Sequence, residues 1–170
     1  MESIYLAGFD VFRPDAVARG TELKRLCAQY GFEGLYPLDN ALPAGLDGHE
    51  AANWIYEHNI ALIRDADLVV ANLNLFRGLE PDSGTAFEVG FAIALDKPVW
   101  AYIDDARTIV EHVPHRRDAH GNAIDHEGFT VEDFGMPRNL MLACSSRIVV
   151  GDAAHCFKTI HESRSEAPRE

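Results

Sequence analysis

Leu68-Val69-Val70-Ala71-Asn72-Leu73 is the stretch on which the fold turns. It is apolar at successive positions and breaks only at Asn72, near its end. A strand with one wet face alternates, whereas a strand covered on both faces need not, so this run predicts an inner strand of a parallel sheet. Four more short runs rich in β-branched and aromatic residues flank it: Ile4 to Ala7, Phe32 to Tyr36, Val99 to Ile103 and Arg147 to Val150. Helical patterns fall between them, over Ala16 to Tyr30, about Ala51 to Arg64, Thr85 to Leu95, and near Ala153 to Glu162. Gly31 stops the first, while Asp82, Ser83 and Gly84 supply a capping start for the third. On that third helix Phe87, Phe91, Ala94 and Leu95 share one side. Strands alternating with helices predict an α/β fold of the doubly wound, flavodoxin-like or Rossmann-like kind: a five-stranded parallel sheet with helices on both faces.

The 170 residues suit one domain spanning 1–170. Its exception is an irregular excursion over about 104–138, broken by Pro114, Gly121, Gly128, Gly135 and Pro137. A loop of that length is expected to be a lid, an oligomer contact or a mobile segment. It carries His112, His115, His120 and His126, but mixed charges surround them and no metal-ligand spacing emerges, so we read a solvated loop and no metal site. A formal net charge of -12 argues against nucleic acid and anionic membranes as partners and leaves a neutral small ligand. Cys27, Cys144 and Cys156 read as reduced thiols in a cytoplasmic protein. The chain enters an apolar strand at once with no signal-type segment ahead, and no apolar run is long enough to span a bilayer.

In an open parallel sheet, ligands bind outside the carboxyl ends of the strands, which points to Gly8 to Phe12, Pro37 to Asn40, and Asn72 to Glu88. Gly8 lets the backbone turn closely, and Phe9 and Phe12 offer aromatic faces to a flat ring, or else pack in the core. No Gly-x-Gly-x-x-Gly follows a strand and no phosphate loop occurs, which removes the two commonest uses of such a fold. The third segment continues Phe76-Arg77-Gly78-Leu79-Glu80-Pro81-Asp82-Ser83-Gly84-Thr85-Ala86-Phe87-Glu88-Val89-Gly90. Glu88 lies in the first two turns of a helix, beside small residues, where the macrodipole is expected to keep a nucleophilic carboxylate ionised. A second carboxylate nearby, Asp82, is expected to have the raised pKa of a proton donor. From spacing alone, Asp82 as a plain N-cap and Glu88 as a surface helix residue stand equally well.

With these residues in place the chain resembles the nucleoside 2-deoxyribosyltransferase family along nearly its whole length. Tyr5-Leu6-Ala7-Gly8 looks like the family's opening strand and turn, and Pro37-Leu38-Asp39-Asn40 like its second-strand motif. The run from Asn59 through Ala66-Asp67 to Ala71-Asn72-Leu73 is similar to its third strand and preceding helix. Glu80 to Gly90 resembles the nucleophile signature, and Arg138-Asn139-Leu140-Met141-Leu142 the motif lent to a neighbouring subunit. The resemblance implies that Glu88 attacks the anomeric carbon of a 2-deoxynucleoside and that a second free nucleobase then attacks the resulting ester. Two inversions give net retention. It further implies that Asp82 bonds the base and shuttles its proton, that Tyr5 holds Glu88, and that Phe12 packs on the base. Gly8, Asp39 and Asn59 are placed among the substrate contacts. Asn139 and Met141 are implied to reach the site of a neighbouring chain, so the expectation is a homo-oligomer with shared active sites and no cofactor.

Two rivals remain at this level. The first is a related hydrolase of 2-deoxynucleoside monophosphates, which carries a phosphate-binding serine where this chain has Asp82 and an acid where it has Asn59. A carboxylate repels the phosphate, and an amide is no proton donor. The second is a nucleoside-sensing module without turnover, against which the joint presence of Tyr5, Asp82, Glu88 and Asn139 weighs.

Overall fold

The computed structural model describes residues 1–165. Strands β1 (Glu2–Ala7), β2 (Phe32–Leu35), β3 (Leu68–Asn72) and β4 (Val99–Ile103) are separated by helices α1 (Ala16–Gln29), α2 (Gly48–Asp65) and α3 (Ser83–Ala94). A short α4 (Ile109–His112), a small hairpin of β5 (Arg116–Arg117) and β6 (Ala123–Ile124), and α5 (Leu140–Ala143) come next. Strand β7 (Arg147–Val150) and α6 (Ala153–Ser165) follow them. The main sheet has the order β2-β1-β3-β4-β7, and its strands are all parallel, with Ile4 beside Leu68 and Val69 beside Val99.

Every residue of β3 and β4 is buried, which is why Leu68 to Asn72 shows no alternation. Leu68 and Val70 face one core with Leu23 and Cys27 of α1 and Cys156, Phe157 and Ile160 of α6. Val69 and Ala71 face the other, with Tyr5, Ile63 of α2, and Val89 and Ala92 of α3. Each fully buried large aliphatic or aromatic side chain contributes about 1.5–3 kcal/mol, so these two layers hold the sheet between its helices.

Three local details go beyond the sequence. Helix α2 begins at Gly48, ahead of Ala51, because Asp47 and Glu50 form a reciprocal capping box. On α3 the core side is Thr85, Val89 and Ala92, whereas Phe87 is 52% exposed and stacks on Phe91 and near Tyr56 of α2 across the surface. The excursion after β4 is organised by carboxylate-capped turns. Asp118 accepts from the backbone N–H of His120 and Asn122, and Asp125 from that of Glu127 and Phe129. Among the described residues no group of three or more His, Cys, Asp or Glu side chains converges as a metal site, and no helix is long and apolar enough to cross a membrane.

The sheet order reverses direction between β1 and β3. From there the chain departs to α1 on one face and to α3 on the other, and a crevice lined by Phe9, Asp10, Asn72, Asn74, Tyr102 and Asp104 lies at the strands' carboxyl ends.

Candidate active site

Tyr5, fully buried on β1, donates its hydroxyl to Glu88 Oε1 of α3 at 2.6 Å. The burial of Tyr5 and the neighbouring Glu88 carboxylate push the phenol pKa upward, so it stays protonated and remains a donor. Glu88 itself is pushed up to about 7, chiefly by burial; the Tyr5 hydrogen bond lowers it and the Asp82 charge raises it further. The expectation of a carboxylate kept ionised by the macrodipole is therefore corrected. Glu88 is the sixth residue of α3, beyond the first turn where that field acts, and loss of water prevails. With Oε1 held by Tyr5, Oε2 takes part in no hydrogen bond among the described residues.

Asp82 is the N-cap of the same helix: Oδ2 accepts from the Thr85 N–H at 2.9 Å and the Thr85 hydroxyl at 3.0 Å. Both bonds use one oxygen, and Oδ1 takes part in no hydrogen bond among the described residues. Gly8 ends β1 against β3; a Cβ there would lie 2.8 Å from Asn72 Cβ, so only glycine allows this approach. Phe12 closes the short helical turn Phe9–Phe12 and is 56% exposed, its ring stacked with Phe76. Asn59 lies on α2 with a buried Oδ1 that finds no hydrogen-bond partner among the described residues, an acceptor left for a donor to fill.

Three other expected site residues lie apart from Glu88. Asp39 pairs with Lys24 and accepts from the Tyr36 N–H at 2.9 Å, stabilising the turn after β2; no contact joins it to Glu88. Asn139 caps α5, accepting from the Met141 N–H at 3.0 Å and donating to Glu132 at 2.6 Å. Met141 is 71% exposed.

The structure adds residues that sequence reasoning left without a role. Asp10 accepts from Arg19 at 3.0 Å and from Asn72 at 2.8 Å. Asn72 accepts from Asn74, which in turn accepts from the Asp104 N–H. This chain of bonds braces the loops after β1, β3 and β4. Arg138, only 1% exposed, donates to the Leu73 and Pro137 carbonyls and so ties the segment before α5 to the end of β3. The one signal for Asp10 and Asn72 was a polar residue ending an otherwise apolar strand or turn.

The sequence profile of the nucleoside 2-deoxyribosyltransferases matches residues 4–141 of this chain, from the first strand through the segment holding Asn139 and Met141. The chain belongs to the nucleoside 2-deoxyribosyltransferase family. A solved 2-desoxiribosyltransferase from Leishmania mexicana is 35% identical with a TM-score of 0.75, over 95% of this chain and 98% of that one. An uncharacterized Schizosaccharomyces pombe protein is 32% identical over 81% of this chain and 74% of its own length. A conserved protein from Enterococcus faecalis V583, 23% identical with a TM-score of 0.58, shares the fold. The parallel sheet with its flanking helices is thus the deoxyribosyltransferase fold, and the chain is an enzyme of the deoxyribosyltransferase or glycosidase kind, a family that acts on nucleosides and nucleobases.

Proposed function

We propose that this family member transfers 2-deoxyribose from a 2-deoxynucleoside to a free nucleobase by double displacement through an ester on Glu88. The observation that carries the reading is the 2.6 Å bond from Tyr5 to Glu88, which fixes one carboxylate oxygen of a group poised near neutrality and leaves the other free.

Glu88 Oε2 forms a bond to C1′ as the N-glycosidic bond breaks, and its electron pair passes to the base. Asp82 gives the departing base a proton, because a nucleobase is a poor anion until protonated. The acceptor base then attacks C1′ with a ring nitrogen, Glu88 leaves as carboxylate, and the acceptor's proton returns to Asp82. An oxocarbenium-like transition state is stabilised by an adjacent carboxylate, so the cycle balances with these groups alone. Asn59 meets the substrate with its unfilled acceptor.

A second part of the proposal concerns assembly. The exposed side chains of Phe87, Tyr56 and Met141 suit an interface with a further copy of the chain, across which Asn139 would address a neighbour's Glu88.

Incubation with a deoxynucleoside and a different free base tests the reading. It expects a new nucleoside and, with acceptor withheld, a deoxyribosyl adduct on Glu88 by mass spectrometry. Free sugar alone would favour the hydrolase; no change at all would favour a binding module.

A further inference from the structure

Three phenylalanine rings bridge the crevice where the sheet order reverses. Phe9 and Phe12 come from the turn after β1 and Phe76 from the loop after β3. The Phe76 ring lies 4.8 Å from Phe9 and 5.5 Å from Phe12, with planes 12° and 11° from parallel. Next to Phe76, Arg77 sets its guanidinium carbon 4.6 Å from the Phe76 centroid and 5.3 Å from that of Phe12.

Arg77 is exposed, yet two further features accompany its place against the rings. It takes part in none of the ion pairs formed among the described residues of this strongly acidic chain. Its backbone is held at φ 53, the left-handed region that a residue with a side chain enters at an energetic penalty. A bond from the Phe76 N–H to the Glu80 carbonyl, 2.9 Å, closes the turn that imposes this conformation. The cation–π contact fixes the guanidinium against the rings, and its N–H groups remain for a ligand. Guanidinium only donates, so its partner must present an acceptor at the edge of a flat group lying on the same aromatic platform.

We propose that Arg77 selects the base, donating to the exocyclic oxygen of an oxo-nucleobase stacked on Phe12 and so favouring 6-oxopurines over 6-aminopurines. The inference rests on the transfer reading above and sets the base against the Phe12 ring, which is exposed at the end of the turn after β1. During departure, the electron pair released by the N-glycosidic bond spreads onto that oxygen, where the guanidinium stabilises it while Asp82 protonates a ring nitrogen. An amino group at the same place turns donors toward donors and leaves the cation unsatisfied.

The test compares deoxyinosine and deoxyadenosine as donors for the wild type, Arg77→Ala and Arg77→Lys. In a double displacement, kcat/KM for the donor reports the first half-reaction alone and does not depend on the acceptor used. The wild type is expected to prefer deoxyinosine, and Arg77→Ala to lower the deoxyinosine-to-deoxyadenosine ratio by about ten- to a hundredfold, the range for a hydrogen bond to a charged group. Arg77→Lys, which keeps the charge and loses the planar fork, falls between. A wild-type preference for deoxyadenosine, or an Arg77→Ala ratio equal to the wild type's, overturns the proposal, and so does an equal loss on both donors, the mark of a merely structural loop residue. Release of free sugar would end the transfer reading yet leave the same ratio to be read. If no donor turns over, equilibrium dialysis of free hypoxanthine and adenine replaces kinetics: stronger retention of hypoxanthine that is lost in Arg77→Ala supports the role, and equal retention of the two bases refutes it.

Discussion

Replacing Glu88 by glutamine removes a carboxyl that the fold carries from its ordinary 4.5 to about 7, mainly by burial. At about 1.4 kcal/mol per pH unit, the ionised form is disfavoured in the folded protein by about 3 kcal/mol. The sign follows from proton binding. Below pH 4.5 the group is protonated in both folded and unfolded chains and contributes nothing. Between 4.5 and about 7 the unfolded chain ionises first, so wild-type stability falls as pH rises; above 7 the full penalty persists. The amide of Glu88→Gln still accepts from Tyr5 and has no charge to bury. Calorimetry of both proteins at pH 5 and pH 8.5 isolates the effect, since the other titrating groups cancel in the difference. The melting temperatures should differ by only about 2–3 °C at pH 5 and separate at pH 8.5, with the variant higher by about 6–12 °C, at about 2–4 °C per kcal/mol for a chain of this size. Transfer activity should fall by several orders of magnitude, because the amide is no nucleophile. A gap of the same size at both pH values, or a variant less stable at pH 8.5, would refute the claim that Glu88 carries a buried charge near neutrality.

Tyr5→Phe deletes the hydrogen bond that holds the Glu88 pKa down, so the acidic limb of the pH–rate profile should move to higher pH and the rate at pH 7 should drop about tenfold or more; an unmoved limb would mean that Glu88 does not titrate in the profile. Asp82→Asn keeps a side-chain cap for the Thr85 N–H but has no proton to give, so binding should persist while base departure slows and the profile loses one limb. Unchanged rate and profile would leave Asp82 as a cap alone. Mixing Glu88→Ala with Asn139→Ala should restore part of the activity if chains exchange and sites are shared; no recovery despite demonstrated exchange would count against the shared site.

The alternation of elements was legible because each strand and helix announces itself within a few residues. Leu68 to Asn72 needs no partner sequence to show that both its faces are covered, and Gly31, at φ 83, marks the end of α1 by backbone stereochemistry alone. The third helix was less legible. Phe87 and Phe91 share a side with Ala94 and Leu95, yet the fully buried positions are Thr85, Val89 and Ala92, with Phe91 and Leu95 packed at the edge of that core and Phe87 exposed. Small residues there let α3 approach the sheet closely, and periodicity does not reveal which of two apolar sides does so. The excursion after β4 reads as irregular because its order comes from side chains of Asp118 and Asp125 folding back on their own backbone, a device without hydrophobic period.

For the site, what the sequence carries is residue type and distance along the chain, whereas reactivity depends on groups that meet only after folding. Glu88 and Asp82 were visible as a carboxylate pair on one helix, but what raises the Glu88 pKa is its burial, opposed by a phenol 83 residues away in the chain. The same holds for Asp10, which is a turn residue until Arg19 and Asn72 close on it, and for Arg138, whose guanidinium is buried against the Leu73 carbonyl 65 residues earlier. These bonds join the loops after β1, β3 and β4 to the segment before α5, so the floor of the crevice is fixed from several directions. Phe12 and Met141, by contrast, stand exposed at 56% and 71%. A rigid floor beneath exposed apolar side chains is what a site needs when its substrate, and by the proposed assembly a second chain, must supply the missing surface.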